Sequence, residues 1–183
     1  MRTIIKLAVQ CVCLWFISAC AASTFPGDAP GEFSSDTSSQ NSRVKNNLLS
    51  SASLEAQFLV EVNKVRNIGR RCGNKKFPAA PALTTSSKLS SAAHQHSLDM
   101  SENQFLDHVS SNGDTLVERV QEVKYAWRAV GENLAHNQKT IQQVISAWLS
   151  SPGHCSNLMS SDYTHAGVAV VDWYWTQVYA APK

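Results

Sequence analysis

The sequence predicts an α+β domain behind an export signal and a polar tether, and three observations carry that reading. Apolar residues recur at helical spacing between Leu54 and Trp148, two short runs rich in Val, Tyr, Trp and Thr close the chain, and residues 21–51 contain few large apolar residues. Helices early and strands late describe a sheet covered by helices. With 183 residues, 43% of them apolar, and a formal charge of +2, the chain suits one ordinary globular domain plus some non-domain sequence. Lys and Arg are scattered apart from a small cluster at Arg70, Arg71, Lys75 and Lys76, which reads as a solvated face. Nucleic acid is therefore not an expected partner.

Residues 1–19 read as a signal peptide. Arg2 and Lys6 supply the positive start, Leu7 to Ile17 is the apolar run, and Ile17-Ser-Ala-Cys20 closes it with small residues. The run is too short to span a bilayer as a helix. Ile17–Cys20 resembles the lipobox of bacterial lipoproteins, which would make Cys20 a lipidated first residue and a membrane anchor. Ala19-Cys20-Ala21 also satisfies the pattern of ordinary signal peptidase, which would release a soluble periplasmic or secreted chain. Ala21 in place of Asp favours an outer-membrane or cell-surface lipoprotein by resemblance to enterobacterial sorting. Residues 20–51, rich in Ser, Thr, Asn and Pro, read as a disordered tether whose coil dimension is on the order of 30 Å.

The folded domain is expected over 52–183. Leu54, Phe58, Leu59, Val62, Val65 and Ile68 form the stripe of a first helix, with Gly69 placed to end it. A Pro- and Gly-rich loop runs through Pro78 and Pro81. A second helix starts at Ser86 or Ser87 and puts Leu89, Ala93, His96 and Met100 on its inner face, where His96 reads as a hydrogen-bonded core or rim histidine. The third opens with Thr115-x-x-Glu118, a capping-box match, and buries Leu116, Val120 and Val123. A fourth opens at Thr140, buries Ile141, Val144, Ile145 and Trp148, and is stopped by Ser151-Pro152-Gly153, leaving His154 on a turn. Ala166–Val171 and Tyr174–Tyr179 suggest an antiparallel hairpin, and Arg128–Leu134 a third strand.

With Cys11 and Cys13 in the signal and Cys20 taken by lipid, Cys72 and Cys155 remain. In an exported chain an isolated pair reads as a disulfide, worth about 2–4 kcal/mol. The alternative is a catalytic Cys155 beside His154. Among the polar residues, His108, Glu132 and His154 each lie next to an apolar run at a loop or element end, where scaffolds present site residues. Two His and a Glu could hold a divalent cation, most readily zinc, or could form a polar cluster that only fixes loops. No local ligand motif decides between them.

LVEVNKVR (59–66), LSSAAHQHSLDM (89–100), FLDHVSSNGDTLVERV (105–120), VGENLAH (130–136), VISAWLSSPGHCSNLM (144–159), HAGVAVV (165–171) and YWTQVYA (174–180) together resemble the CAP superfamily. This superfamily is also called SCP/TAPS, after the cysteine-rich secretory, antigen 5 and pathogenesis-related 1 proteins. The likeness is to its bacterial SCP-like branch. It implies an α-β-α sandwich, a three- to four-stranded, largely antiparallel sheet between helical layers, with a central cavity lined by two His and two acidic residues. By motif, the cavity positions fall on His108, Glu132 and His154. The second acid would lie three residues after Trp148, where this chain has Ser151. Loss of that carboxylate implies weak or optional cation binding, with Glu118 as a candidate substitute and Ser151 as a candidate to position a water.

Three readings follow. The first is a cell-envelope module that binds a lipid or small apolar ligand. The second is a zinc-dependent hydrolase or protease with Glu132 as general base and the two His holding a metal-bound water. The third is a structural or protein-interaction domain whose surface includes Trp127, Trp173, Tyr174 and Trp175. Those aromatics read first as core and strand-face packing.

Overall fold

The computed structural model describes residues 37–183, with side chains from Ser50 onward. The signal segment, Cys20 and the tether as far as residue 36 lie outside the described residues. The chain runs α1 (Thr37–Arg66), β1 (Arg70–Cys72), β2 (Lys75–Phe77), β3 (Thr84–Thr85), α2 (Ser87–Glu102), α3 (Leu116–Glu122) and β4 (Trp127–His136). It continues through α4 (Ile141–Ser150), α5 (Pro152–Met159), β5 (His165–Val171) and β6 (Tyr174–Pro182).

The main sheet has the order β3-β5-β6-β4, antiparallel except for the short β3–β5 pairing. The period of two along β6 sorts its side chains into two layers. Trp175 and Tyr179 face α1, α4 and α5 together with Phe58, Val144, Trp148 and Leu158. Val178 and Ala180 face the other way, against Leu89, Ala93, Val120 and Tyr125 of the α2–α3 layer. Every residue of β6 except the last is buried, as a central strand covered on both faces requires. This is the expected α-β-α arrangement. α2 lies so close to β5 that a Cβ on Gly167 would stand 2.1 Å from the Ser90 backbone nitrogen. Glycine permits that approach because it has no Cβ to clash.

Four elements differ from expectation. α1 begins at Thr37, inside the stretch read as tether. Neither Pro nor Gly interrupts Thr37–Arg66, and extending a nucleated helix adds a hydrogen bond for each residue fixed, so polar composition alone does not stop it. α1 ends at Arg66, which leaves Ile68 65% exposed beyond the helix and outside the buried stripe. The Pro/Gly loop contains the hairpin β1–β2, which carries Arg70, Arg71, Lys75 and Lys76 and forms no ion pair among the described residues. Pro152 does not end the helical region. It occupies the first turn of α5, where proline's fixed φ and missing N–H cost nothing. His154 therefore sits in a helix, not on a turn.

Two covalent or charged ties lock the α1 layer. Cys72 and Cys155 form the expected disulfide, with Cα atoms 5.5 Å apart at a sequence separation of 83, so Cys155 is no nucleophile. Arg66 is fully buried and donates to four carbonyls: Pro81 (2.9 Å), Leu158 (2.7 Å), Ser160 (2.9 Å) and Tyr163 (3.3 Å). Burial lowers its pKa. No carboxylate among the described residues pairs with it, so the carbonyl dipoles carry its charge.

The four aromatics offered as an interaction surface divide. Tyr174 and Trp175 are buried and Trp127 packs on the α2–α3 cluster, while Trp173 is 44% exposed.

Candidate functional site

Glu132 lies on the α2–α3 face of β4, paired across the sheet with Val178. Its side chain is 2% exposed, and both carboxylate oxygens are engaged. Oε2 accepts from Arg119 Nη2 at 2.8 Å, and Oε1 lies 2.8 Å from His108 Nδ1. Arg119 was not singled out from the sequence, although the signal is there. Leu116, Arg119, Val120 and Val123 stand at i, i+3, i+4 and i+7, which puts a charge on the apolar stripe of α3. A cation there needs a buried partner.

Arg119 does more than pair with Glu132. Its Nη1 donates to the carbonyls of His108 and Asp114 and to Ser110 Oγ, each at 3.0 Å, and so grips the loop that presents His108. Ser110 Oγ lies 3.2 Å from His96 Nδ1, while His96 Nε2 lies 2.8 Å from the Asp107 carbonyl. With the hydroxyl donating to Nδ1 and Nε2–H donating to the carbonyl, both nitrogens of His96 are satisfied in its neutral form. Burial, the largest influence, lowers the pKa of His96 in the same sense. His96 is fully buried and is the hydrogen-bonded core residue expected, with neither nitrogen free to bind a ligand.

His108 is the outward end of this relay, with a side chain 59% exposed. Its hydrogen bond to Glu132 raises its pKa against a smaller effect of burial, so the imidazolium is favoured. His154, in the first turn of α5, has its pKa lowered by burial and then by the charge of His108, which places the two imidazoles within electrostatic reach. Asn133 and Asn157 hold α5 against β4. Asn133 Nδ2 donates to the His154 carbonyl at 3.1 Å, and Asn157 Nδ2 donates to the Glu132 carbonyl and to Asn133 Oδ1, each at 3.0 Å. Asn157 also escaped the sequence reading. Gly131 is required for close approach: a Cβ there would meet Tyr163 Oη at 2.3 Å.

Two expected contributors stand elsewhere. Glu118 is exposed and accepts from the Thr115 backbone N–H at 2.7 Å, which together with the Thr115 side-chain bond lowers its pKa. It is a helix cap and supplies no carboxylate to the site. Ser151 caps both α4 and α5. Its N–H donates to Trp148 and its carbonyl accepts from Cys155, and no hydrogen bond among the described residues joins it to His108 or Glu132. His136 stacks on Tyr174, with ring centroids 3.8 Å apart, away from the cluster.

The arrangement offers a cation few donors beyond His108 Nε2 and the His154 ring. Both Glu132 oxygens and His108 Nδ1 are committed to one another or to Arg119, whose own charge repels a metal ion. Among the described residues no group of three or more His, Cys, Asp or Glu is placed to hold one. His108, Glu132 and His154 line neither a groove of about 630 Å3 beside α4 nor a void of about 150 Å3 under α1. They form a half-buried patch, and Leu106 and Val109 flank it at 52% and 44% exposure.

The model of the cysteine-rich secretory protein family, CAP, matches residues 59–179. The chain belongs to the CAP family. The match covers β4, α5, β5 and most of β6, and so contains the whole His108–Glu132–His154 patch. An extracellular protein of Bacillus anthracis containing an SCP domain superposes with a TM-score of 0.59 at 26% identity, over 73% of this chain and 43% of that one. An outer surface protein of Borrelia burgdorferi gives 0.55 at 19% identity, over 70% of this chain and 89% of that one, and shares the fold. In Bacillus subtilis (strain 168), the uncharacterized membrane protein YlbC is 41% identical over 85 residues, 46% of this chain and 25% of YlbC. YkwD from the same strain is 34% identical over 91 residues, 49% of this chain and 35% of YkwD. The matched region is thus about a quarter to a third of these relatives' length. The relatives with solved structures are extracellular or surface proteins by name.

Proposed function

We propose that this CAP domain is a binding module of the cell envelope, held there by a lipid on Cys20, that takes a lipid or small amphiphile at the His108–His154 patch. The engagement of both Glu132 oxygens carries the reading. Each oxygen of this carboxylate is already held, one by a buried guanidinium and one by an imidazole, and the side chain is 2% exposed, which leaves a water little access to it, so the arrangement supports recognition over general-base hydrolysis. What it leaves outward is a His108 ring biased toward its cation, with exposed Leu106 and Val109 beside it. That pairing suits a ligand with an anionic head and an apolar body. The surface and extracellular relatives agree with an envelope location.

Thermal melts with oleate as probe test the reading. Stabilisation should be larger at pH 6 than at pH 8, because His108 loses its charge as pH rises through its raised pKa. It should be lost in His108→Ala. Equal shifts at both pH values, or shifts retained in His108→Ala, would place the ligand elsewhere.

A further inference from the structure

We infer that a second face of the domain, the groove of about 630 Å3 between α4 and the segment following β4, is a binding site for a neutral glycan strand. Asn137 and Gln138 form one wall, while Gln142, Gln143, Ser146 and Ser150 of α4 form the other, with Ala147 between them. No ionisable side chain and no large apolar one enters this lining. A charged ligand meets no counter-charge there, a lipid meets no large apolar side chain, and a peptide meets no pocket for an apolar side chain. Side-chain amides and hydroxyls offer donors and acceptors in pairs, which matches sugar hydroxyl and acetamido groups.

The groove is also held in shape before any ligand arrives. Asn137 adopts a left-handed φ of 77° and its N–H donates to the Trp173 carbonyl at 3.1 Å. Trp175 Nε1 donates to the Gln138 carbonyl at 2.8 Å, and the Lys139 N–H donates to Gln143 Oε1 at 2.7 Å. A wall fixed this way loses little entropy on binding. Gln138 Oε1 is buried and has no hydrogen-bond partner among the described residues. An unmet acceptor at the groove wall gains a partner if the Gln138 side chain turns outward onto a ligand that brings a hydroxyl or amide N–H. Trp173 adjoins the Asn137 end, 44% exposed, with Lys139 Nζ 4.2 Å from its ring centroid. That contact orients an indole on which the apolar face of a pyranose can rest.

The test is titration of tetra-N-acetylchitotetraose into the 15N-labelled full chain in detergent micelles. Saturable shifts should centre on Gln138, Gln142, Ser146 and the Trp173 indole. Ala147→Trp, which fills the groove, and Ser146→Tyr, at an exposed position should the first distort α4, should each weaken binding about tenfold or more. Gln142→Ala should weaken it by a smaller factor, and signals of His108 and His154 should stay unchanged throughout. The inference is overturned by an absence of shifts at ~10 mM sugar, by shifts centred on the His108 patch, or by undiminished binding in both filling variants.

Discussion

Replacing Glu132 by Gln tests the relay at its centre, because it removes one charge and almost no volume. Arg119 and Glu132 are 4% and 2% exposed in their side chains, and their 2.8 Å contact is a buried ion pair. Breaking such a pair costs about 3–5 kcal/mol, since the survivor stays buried and charged. Arg119 keeps its bonds to His108, Ser110 and Asp114, and Gln keeps one acceptor, so the loss should lie near the lower end, about 3 kcal/mol. For a domain of this size that is a fall of roughly 10 °C in Tm. The same change removes the largest influence holding the His108 pKa up and leaves burial and Arg119 pulling it down, with Asp107 alone opposing. A raised folded-state pKa contributes stability that is fully present below the unfolded value, about 6.5, and is lost as pH rises through the folded value. In Glu132→Gln that acid-side stabilisation should vanish. Calorimetry between pH 5 and 9 together with an NMR titration of the His108 ring would measure both effects. An unchanged His108 midpoint with an unchanged Tm would refute the relay.

Arg66→Leu takes the donor from four carbonyls, the Leu158 one buried and the others partly so, and should cost roughly 3 kcal/mol, measured by urea unfolding, with Arg66→Lys recovering part of the loss. The double variant Cys72→Ala/Cys155→Ala should lose about 4 kcal/mol by the loop-entropy argument for a separation of 83 residues, with the His108 titration preserved. Glu118→Ala should lower Tm by less than Glu132→Gln does and leave oleate binding intact, as a cap residue should; loss of binding would return Glu118 to the site.

The sequence made some of this legible because certain local signals have one physical meaning. Thr115-x-x-Glu118 and the short Val-rich run of Ala166–Val171 admit few alternatives, and α3 and the β5–β6 hairpin formed where they were expected. Other signals are ambiguous on their own. Pro152-Gly153 ends one helix and begins another, and only the packing of Leu158 and Met159 into the core distinguishes the outcomes. The hairpin β1–β2 was hidden because its three-residue strands are mostly charged, and its identity comes from the disulfide and from pairing, not from propensity. At the site, His108, Glu132 and His154 could be named from a family likeness, but Arg119 and Asn157 could not. Their roles depend on partners 13 and 25 residues away that only the fold brings near. Asn133 shows the same limit, for it bonds the His154 carbonyl at 3.1 Å and the Tyr179 hydroxyl at 3.0 Å, partners 21 and 46 residues away.

The central claim is that the His108–Glu132–His154 patch recognises an amphiphile and that Glu132 is a structural partner of Arg119. Native mass spectrometry of the protein extracted from its own membrane, with elemental analysis of the same sample, tests it most directly. The account predicts a noncovalent apolar adduct that His108→Ala releases, with no stoichiometric metal. A domain that is always empty, or one equivalent of zinc that Glu132→Gln removes, would contradict it.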